Sequence, residues 1–99
     1  MTKEKLIREL KSDMRIFASC KGIKITDEDA QERAERYVEQ LSANVCISKI
    51  NSVATAVKEI DMTEYYYEIT FKTHIMFKNE FCFSDTIFMI VSKKDGEIE

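Results

Sequence analysis

The 99-residue chain predicts an α+β fold, with two N-terminal helices packed on one face of an antiparallel sheet of three to four strands in a two-layer sandwich. Three observations carry that expectation. Apolar residues recur at three- and four-residue spacing through about position 43. From Val45 onward β-branched and aromatic residues take over and the period shrinks towards two. Two long alternating segments then face each other across a short polar turn near the C-terminus, which is the pattern of a hairpin. With 44% hydrophobic and 33% charged residues, no Pro and two Gly, the chain has the apolar content of one folded domain, 1–99, and no composition shift suggestive of a linker.

The first helix is expected over about 3–21. Leu6, Ile7, Leu10, Met14 and Phe17 form its apolar stripe, and Gly22 follows as a C-terminal stop. Ile23 and Ile25 bridge to Thr26, which with Asp29 makes a capping-box-like start. Asp27, Glu28 and Asp29 complement the positive end of a second helix over about 27–43. Its stripe is Ala30, Ala34, Tyr37, Val38 and Leu41, small first and bulky later, as two helices diverging from a close contact require.

The sheet should occupy about 45–92. Residues 45–50 and 53–62 read as two short strands broken at Asn51-Ser52, with a continuation of the second helix past Asn44 as the competing reading. The segment 65–77 alternates cleanly, with Tyr65, Tyr67, Ile69, Phe71, Ile75 and Phe77 on one row and only Thr73 interrupting it. Lys78-Asn79-Glu80 turns the chain, and 81–92 returns. A three-residue loop sets Phe77 opposite Phe81, Ile75 opposite Phe83, Phe71 opposite Ile87, Ile69 opposite Met89 and Tyr67 opposite Val91. That register places Asp85 in the apolar row beside Thr73, so a bulge near Ser84-Asp85 is expected to turn the carboxylate outward. Residues 93–99 are polar and expected to fray.

The formal charge of −3 hides a bipolar distribution. Residues 1–24 carry seven bases against three acids, whereas residues 25–68 carry ten acids against four bases. Cys20, Cys46 and Cys82 are odd in number and lack CxxC spacing, so they read as structural thiols among apolar or small neighbours, in a reducing, cytoplasmic compartment. The opening MTKEKLIREL has no uninterrupted apolar core, and neither a signal peptide nor a membrane span is expected.

Catalytic chemistry finds little support. His74 is the single histidine, and although Ser84 neighbours it, Asp85 faces the other side of the sheet unless the strand bulges, and no glycine-rich turn offers an oxyanion hole. One His and three scattered Cys do not make a metal site, and Gly22 and Gly96 do not make a phosphate loop. No enzyme activity, metal or cofactor is therefore expected.

Three surfaces stand out instead. Glu28, Glu32, Glu35 and Glu39 line one side of the second helix, partly offset by Arg33 and Arg36, and fit either a solvated face or a docking edge for a basic partner. Lys5, Arg8, Lys11 and Arg15 form a basic stripe on the first helix, suited to solvent, to phosphate or to a partner. On the sheet row facing away from the helices, Tyr66, Phe88 and Ile90 make an apolar patch, with Met76 and Cys82 further along. Either the segment 45–62 covers that patch or another protein does, most simply a second copy.

In general character, a short, Pro-free chain rich in Lys, Ile, Glu and Tyr and without a catalytic motif is similar to small accessory proteins of bacterial phages and plasmids. Anti-CRISPR inhibitors belong to that group; they are often compact α+β domains that occupy a surface of a larger enzyme. The likeness is one of type and covers no motif. It implies a non-enzymatic protein-binding module whose acidic helix docks on a nucleic-acid-handling enzyme. The alternatives are a small nucleic-acid-binding protein using the basic first helix, and a structural homodimer subunit.

Overall fold

A computed structural model of the chain describes residues 1–93, and within them two helices cover one face of a three-stranded antiparallel sheet. The elements are α1 (Lys3–Cys20), α2 (Asp27–Ser42), a 3₁₀ turn (Ile47–Lys49), β1 (Ile50–Met62), β2 (Tyr66–Phe77) and β3 (Cys82–Ser92), with β2 central. The fraying expected of the tail concerns residues that lie, apart from Lys93, outside the described ones.

Both helices begin on a threonine. Thr2 Oγ1 accepts from the Lys5 N–H at 3.1 Å, and Thr26 Oγ1 accepts from the Asp29 N–H at 3.2 Å, each satisfying an amide that the first helical turn leaves without a partner. α1 ends on Gly22 at φ 80°, where the Ile23 N–H reaches the Ala18 carbonyl and the Gly22 N–H that of Ser19, both at 2.9 Å. This is a Schellman closure, and it needs a residue at ease in the left-handed region. The buried stripes are Leu6, Leu10, Met14 and Ala18 on α1 and Ala30, Ala34, Tyr37, Val38 and Leu41 on α2. Phe17, assigned to the stripe of α1, is instead 40% exposed, because the helix turns that position past the edge of the core.

The hairpin adopts the expected register without interruption, from Tyr66 opposite Ser92 to Met76 opposite Cys82. The turn closes with the Phe77 N–H donating to the Phe81 carbonyl at 2.7 Å and with Glu80 at φ 69°, the left-handed third position of such a loop. No bulge forms at Ser84-Asp85. Asp85 stays in the inner row, facing the helices, and receives the Tyr37 hydroxyl from α2 at 2.8 Å. The register irregularities lie in β1, between Ile50 and Ser52 and between Val57 and Glu59. The strand expected over 45–50 does not form: residues 45–49 carry the chain from the helical layer to the sheet through the 3₁₀ turn, and β1, starting at Ile50, runs on through Asn51-Ser52.

One row of the sheet is polar across its whole width. Thr55, Thr73 and Asp85 are register partners on β1, β2 and β3, and the buried Thr55 hydroxyl donates to Thr73 Oγ1 at 2.8 Å. α1 adds Asp13, whose carboxylate accepts from the Thr55 N–H at 3.3 Å, and α2 adds Tyr37 at the other end. This belt interrupts an otherwise apolar core of Leu6, Leu10, Met14, Ile69, Phe71, Ile75 and Ile87, and no side-chain polar atom buried among the described residues lacks a partner. Burial pushes the Asp13 carboxyl above its usual range, with the Thr55 amide opposing and Glu9 adding to the rise.

Both outer strands are guarded from the helices. Asp13 occupies an amide of β1, and Arg33 of α2 donates to the Phe88 carbonyl of β3 at 2.7 Å, while Asp85 Oδ1 takes the Thr86 N–H at 2.8 Å. An acid thus meets a donor and a base an acceptor on groups that would otherwise offer themselves to another strand.

Candidate functional site

β1 lies beside β2 in the same sheet and so leaves the outer face open. Tyr66, Phe88 and Ile90 are 49%, 48% and 55% exposed there, and no described element covers them. Of the two explanations for the apolar patch, coverage by the segment 45–62 is thereby removed.

The structure joins this patch to the acidic helix. α2 lies along β3, held by the Arg33 contact to the Phe88 carbonyl and by Tyr37 on Asp85. A surface depression of about 320 Å³ results, lined by Asp29, Glu32, Arg33 and Arg36 from α2 and by Phe88, Met89 and Ile90 from β3. Apolar side chains of the outer face and charged side chains of the helix therefore meet in one continuous surface around the β3 edge.

All four glutamates of the row are exposed. Glu32 accepts from Arg36 at 2.7 Å and Glu35 accepts from Gln31 at 2.6 Å, so the helix tempers its own like-charge repulsion in the middle of the row. Glu28 and Glu39 carry no ion pair among the described residues. Burial, followed by the nearby Arg36, lowers the Arg33 guanidinium from its ordinary value, while Tyr37 opposes that shift.

The basic stripe is less available than its sequence suggests. Lys11 and Arg15 both contact Asp27 Oδ1 at 3.1 Å, and Arg15 Nε also donates to the Ile25 carbonyl at 3.1 Å. Two of the four cations thus fasten the α1–α2 connection, and Lys5 and Arg8 remain exposed. Lys24, which the helical pattern could not place, joins Arg8, Lys11 and Arg15 along a groove of about 710 Å³.

Ser84 Oγ and His74 Nδ1 are 2.8 Å apart on the outer face, as the register requires, whereas Asp85 projects from the opposite face. Among the described residues the two form a surface pair with no carboxylate bonded to the imidazole. Cys20, Cys46 and Cys82 are all exposed, so they do not act as packing thiols. Cys20 ends α1, Cys46 precedes the 3₁₀ turn and Cys82 projects from the outer sheet row, and none of these places reaches the core. The Cys46 thiol sits 3.1 Å from the Ser48 hydroxyl, whose hydrogen bond is the main cause lowering its pKa. No group of three or more metal-ligating side chains occurs, and no helix is long and apolar enough to cross a membrane, among the described residues.

Sequence reading missed a further feature. Phe77, Phe81 and Phe83 cluster at the hairpin tip, with ring centroids 5.8 Å apart for Phe77 with Phe81 and with Phe83, and 6.4 Å for Phe81 with Phe83. Their common row was legible; that it ends at the margin of the helical layer was not.

No family model, no curated protein and no solved structure matches the chain.

Proposed function

We propose that the protein is a non-enzymatic protein-binding module that docks through the α2–β3 surface on a larger, basic partner, of the kind that handles nucleic acid. The supporting observation is the depression in which Glu32 and Arg36 of the charged helix meet exposed Phe88 and Ile90. An apolar centre with a charged margin is the anatomy of a protein interface: burial of the apolar groups supplies affinity. The exposed carboxylates of Glu28 and Glu39, further along the same helix and without an ion pair among the described residues, steer a positive partner, since the charges inside the depression itself balance. An inhibitor that occupies a nucleic-acid site, in the manner of anti-CRISPR proteins, is the specific form of this reading. Direct nucleic-acid binding has weaker support, since Asp27 already engages half of the basic stripe.

The test is capture on immobilised protein, with partners identified by mass spectrometry after nuclease treatment, alongside light scattering of the purified chain. A partner held by the parent protein should be lost both when Glu28, Glu32, Glu35 and Glu39 become Gln and, separately, with Phe88→Glu, while circular dichroism stays unchanged. Capture that survives both changes refutes the reading. A dimer that Phe88→Glu converts to a monomer assigns the patch to a second copy instead.

A further inference from the structure

Strands outreach helices in this fold. At about 3.3 Å per residue the 12 residues of β2 span roughly 40 Å, whereas at about 1.5 Å per residue the 18 of α1 span roughly 27 Å. The inner apolar row of the hairpin consequently reaches the margin of the helical layer, where Phe77 and Phe83 pack half-buried against the core and Phe81 stands exposed. The chain descending from α2 walls this margin with Val45 and Lys49 and encloses a cleft of about 580 Å³. That volume admits a small molecule, as does that of the groove along Arg8, Lys11, Arg15 and Lys24; the apolar lining is what sets this cleft apart.

The cleft is built rather than incidental. The Lys78 N–H donates to the Lys49 carbonyl at 2.9 Å, tying the hairpin tip to the 3₁₀ turn, and Asn79 Oδ1 accepts from the Phe81 N–H at 3.1 Å. Phe81 stays 59% exposed although two aromatic neighbours are in reach, so one wall is left open. The lining is apolar except where Lys49, Lys78 and Asn79 enter it, and neither lysine has an ion pair among the described residues. An apolar interior rejects a charge, and two ammonium groups at its border attract an anion.

We propose that this cleft binds a small amphipathic carboxylate, an aryl or alkyl chain seated among the three phenylalanine rings with its anionic head at Lys49 and Lys78. The site is separate from the α2–β3 surface and stands or falls independently of it. The test is a heteronuclear NMR titration with phenylbutyrate, and with phenylbutanol as the uncharged counterpart. Phenylbutyrate should give saturable shifts at the amides of Val45, Lys49, Lys78 and Asn79, with a dissociation constant of about 1 mM for a ligand of this size. Phenylbutanol should bind about fivefold more weakly, the discrimination expected of solvent-exposed charge contacts. The Lys49→Gln/Lys78→Gln variant should erase that difference, and Phe81→Ser should abolish both titrations with the remaining amide spectrum intact. Absence of saturation, equal affinity for acid and alcohol, or stronger shifts along the Arg8, Arg15 and Lys24 groove would each overturn the proposal.

Discussion

Thr55 and Thr73 offer a stringent check on the polar belt, because valine has nearly the shape of threonine and removes only the hydroxyl. Both residues are essentially inaccessible, 2% and 0% exposed, so water cannot replace a lost bond. Thr73→Val deletes the acceptor of the Thr55 hydroxyl and leaves a buried donor without a partner, which costs about 1 to 3 kcal/mol. Thr55→Val is milder, since the Thr73 hydroxyl still donates to the Ala54 carbonyl at 3.4 Å; we expect about 0.5 to 1 kcal/mol. In the double variant neither hydroxyl remains, and an apolar pair in the same volume should bring the cost close to zero. The singles and the double are then grossly non-additive, by about 1.5 kcal/mol or more. Urea unfolding followed by far-ultraviolet circular dichroism reads this directly. With a slope of about 1 kcal/mol/M for a small domain, Thr73→Val should lower the midpoint by 1 M or more, and adding Thr55→Val should restore most of it. A double variant as unstable as the sum of the singles would show that the hydroxyls act independently and that the belt is not a hydrogen-bonded unit.

The opposite end of the belt titrates. Burial, then the hydrogen bond and charge of Asp85, raise the Tyr37 phenol far above its ordinary value, with Arg33 opposing. Above pH about 10 the unfolded chain therefore loses a proton that the folded one keeps, and stability falls with rising pH. Tyr37→Phe should remove that part of the alkaline decline while lowering stability at neutral pH by about 1.5 kcal/mol, measured by thermal unfolding across pH; an identical alkaline slope in both proteins refutes the assignment. Gly22→Ala should cost about 1 kcal/mol from backbone conformation alone, because nothing lies within 4 Å of the added methyl, and a variant as stable as the parent by urea titration would contradict the Schellman closure.

Much of this architecture was legible in the sequence, and the misses have physical causes. Alternation in 65–77 and 81–92 set the hairpin register, because slipping it by one residue exchanges the buried and exposed rows entirely. The same row contained two anomalies, Thr73 and Asp85, and a bulge was the local remedy. The remedy found in the structure is tertiary, since their partners Thr55 and Tyr37 lie 18 and 48 positions away, on other elements. Tyr37 was an anomaly of the same kind, a hydroxyl inside an apolar stripe, and matching the two would have docked α2 on β3. In 45–50 composition misled: Ile47 and Ile50 are buried three residues apart, a turn spacing, not an alternating one. The phase change in β1 was visible too, because Val57 and Ile60 both pack against the core from positions of opposite parity. Of the candidate sites, the helical charge rows were readable from periodicity alone. Their meeting with Phe88 and Ile90, and the partial neutralisation of the basic row by Asp27, depended on how the layers dock.

Placing the strand guards on the helices has a consequence for how the molecule fails. Asp13 and Arg33 stay on their targets only while α1 and α2 remain docked, so a partial opening that lifts either helix uncovers an apolar inner face and a strand with unoccupied amides or carbonyls in the same event. Two such opened molecules present each other with matching sticky surfaces. Thermal denaturation at high protein concentration should accordingly become irreversible before unfolding is complete, and recovery on cooling should improve steeply with dilution.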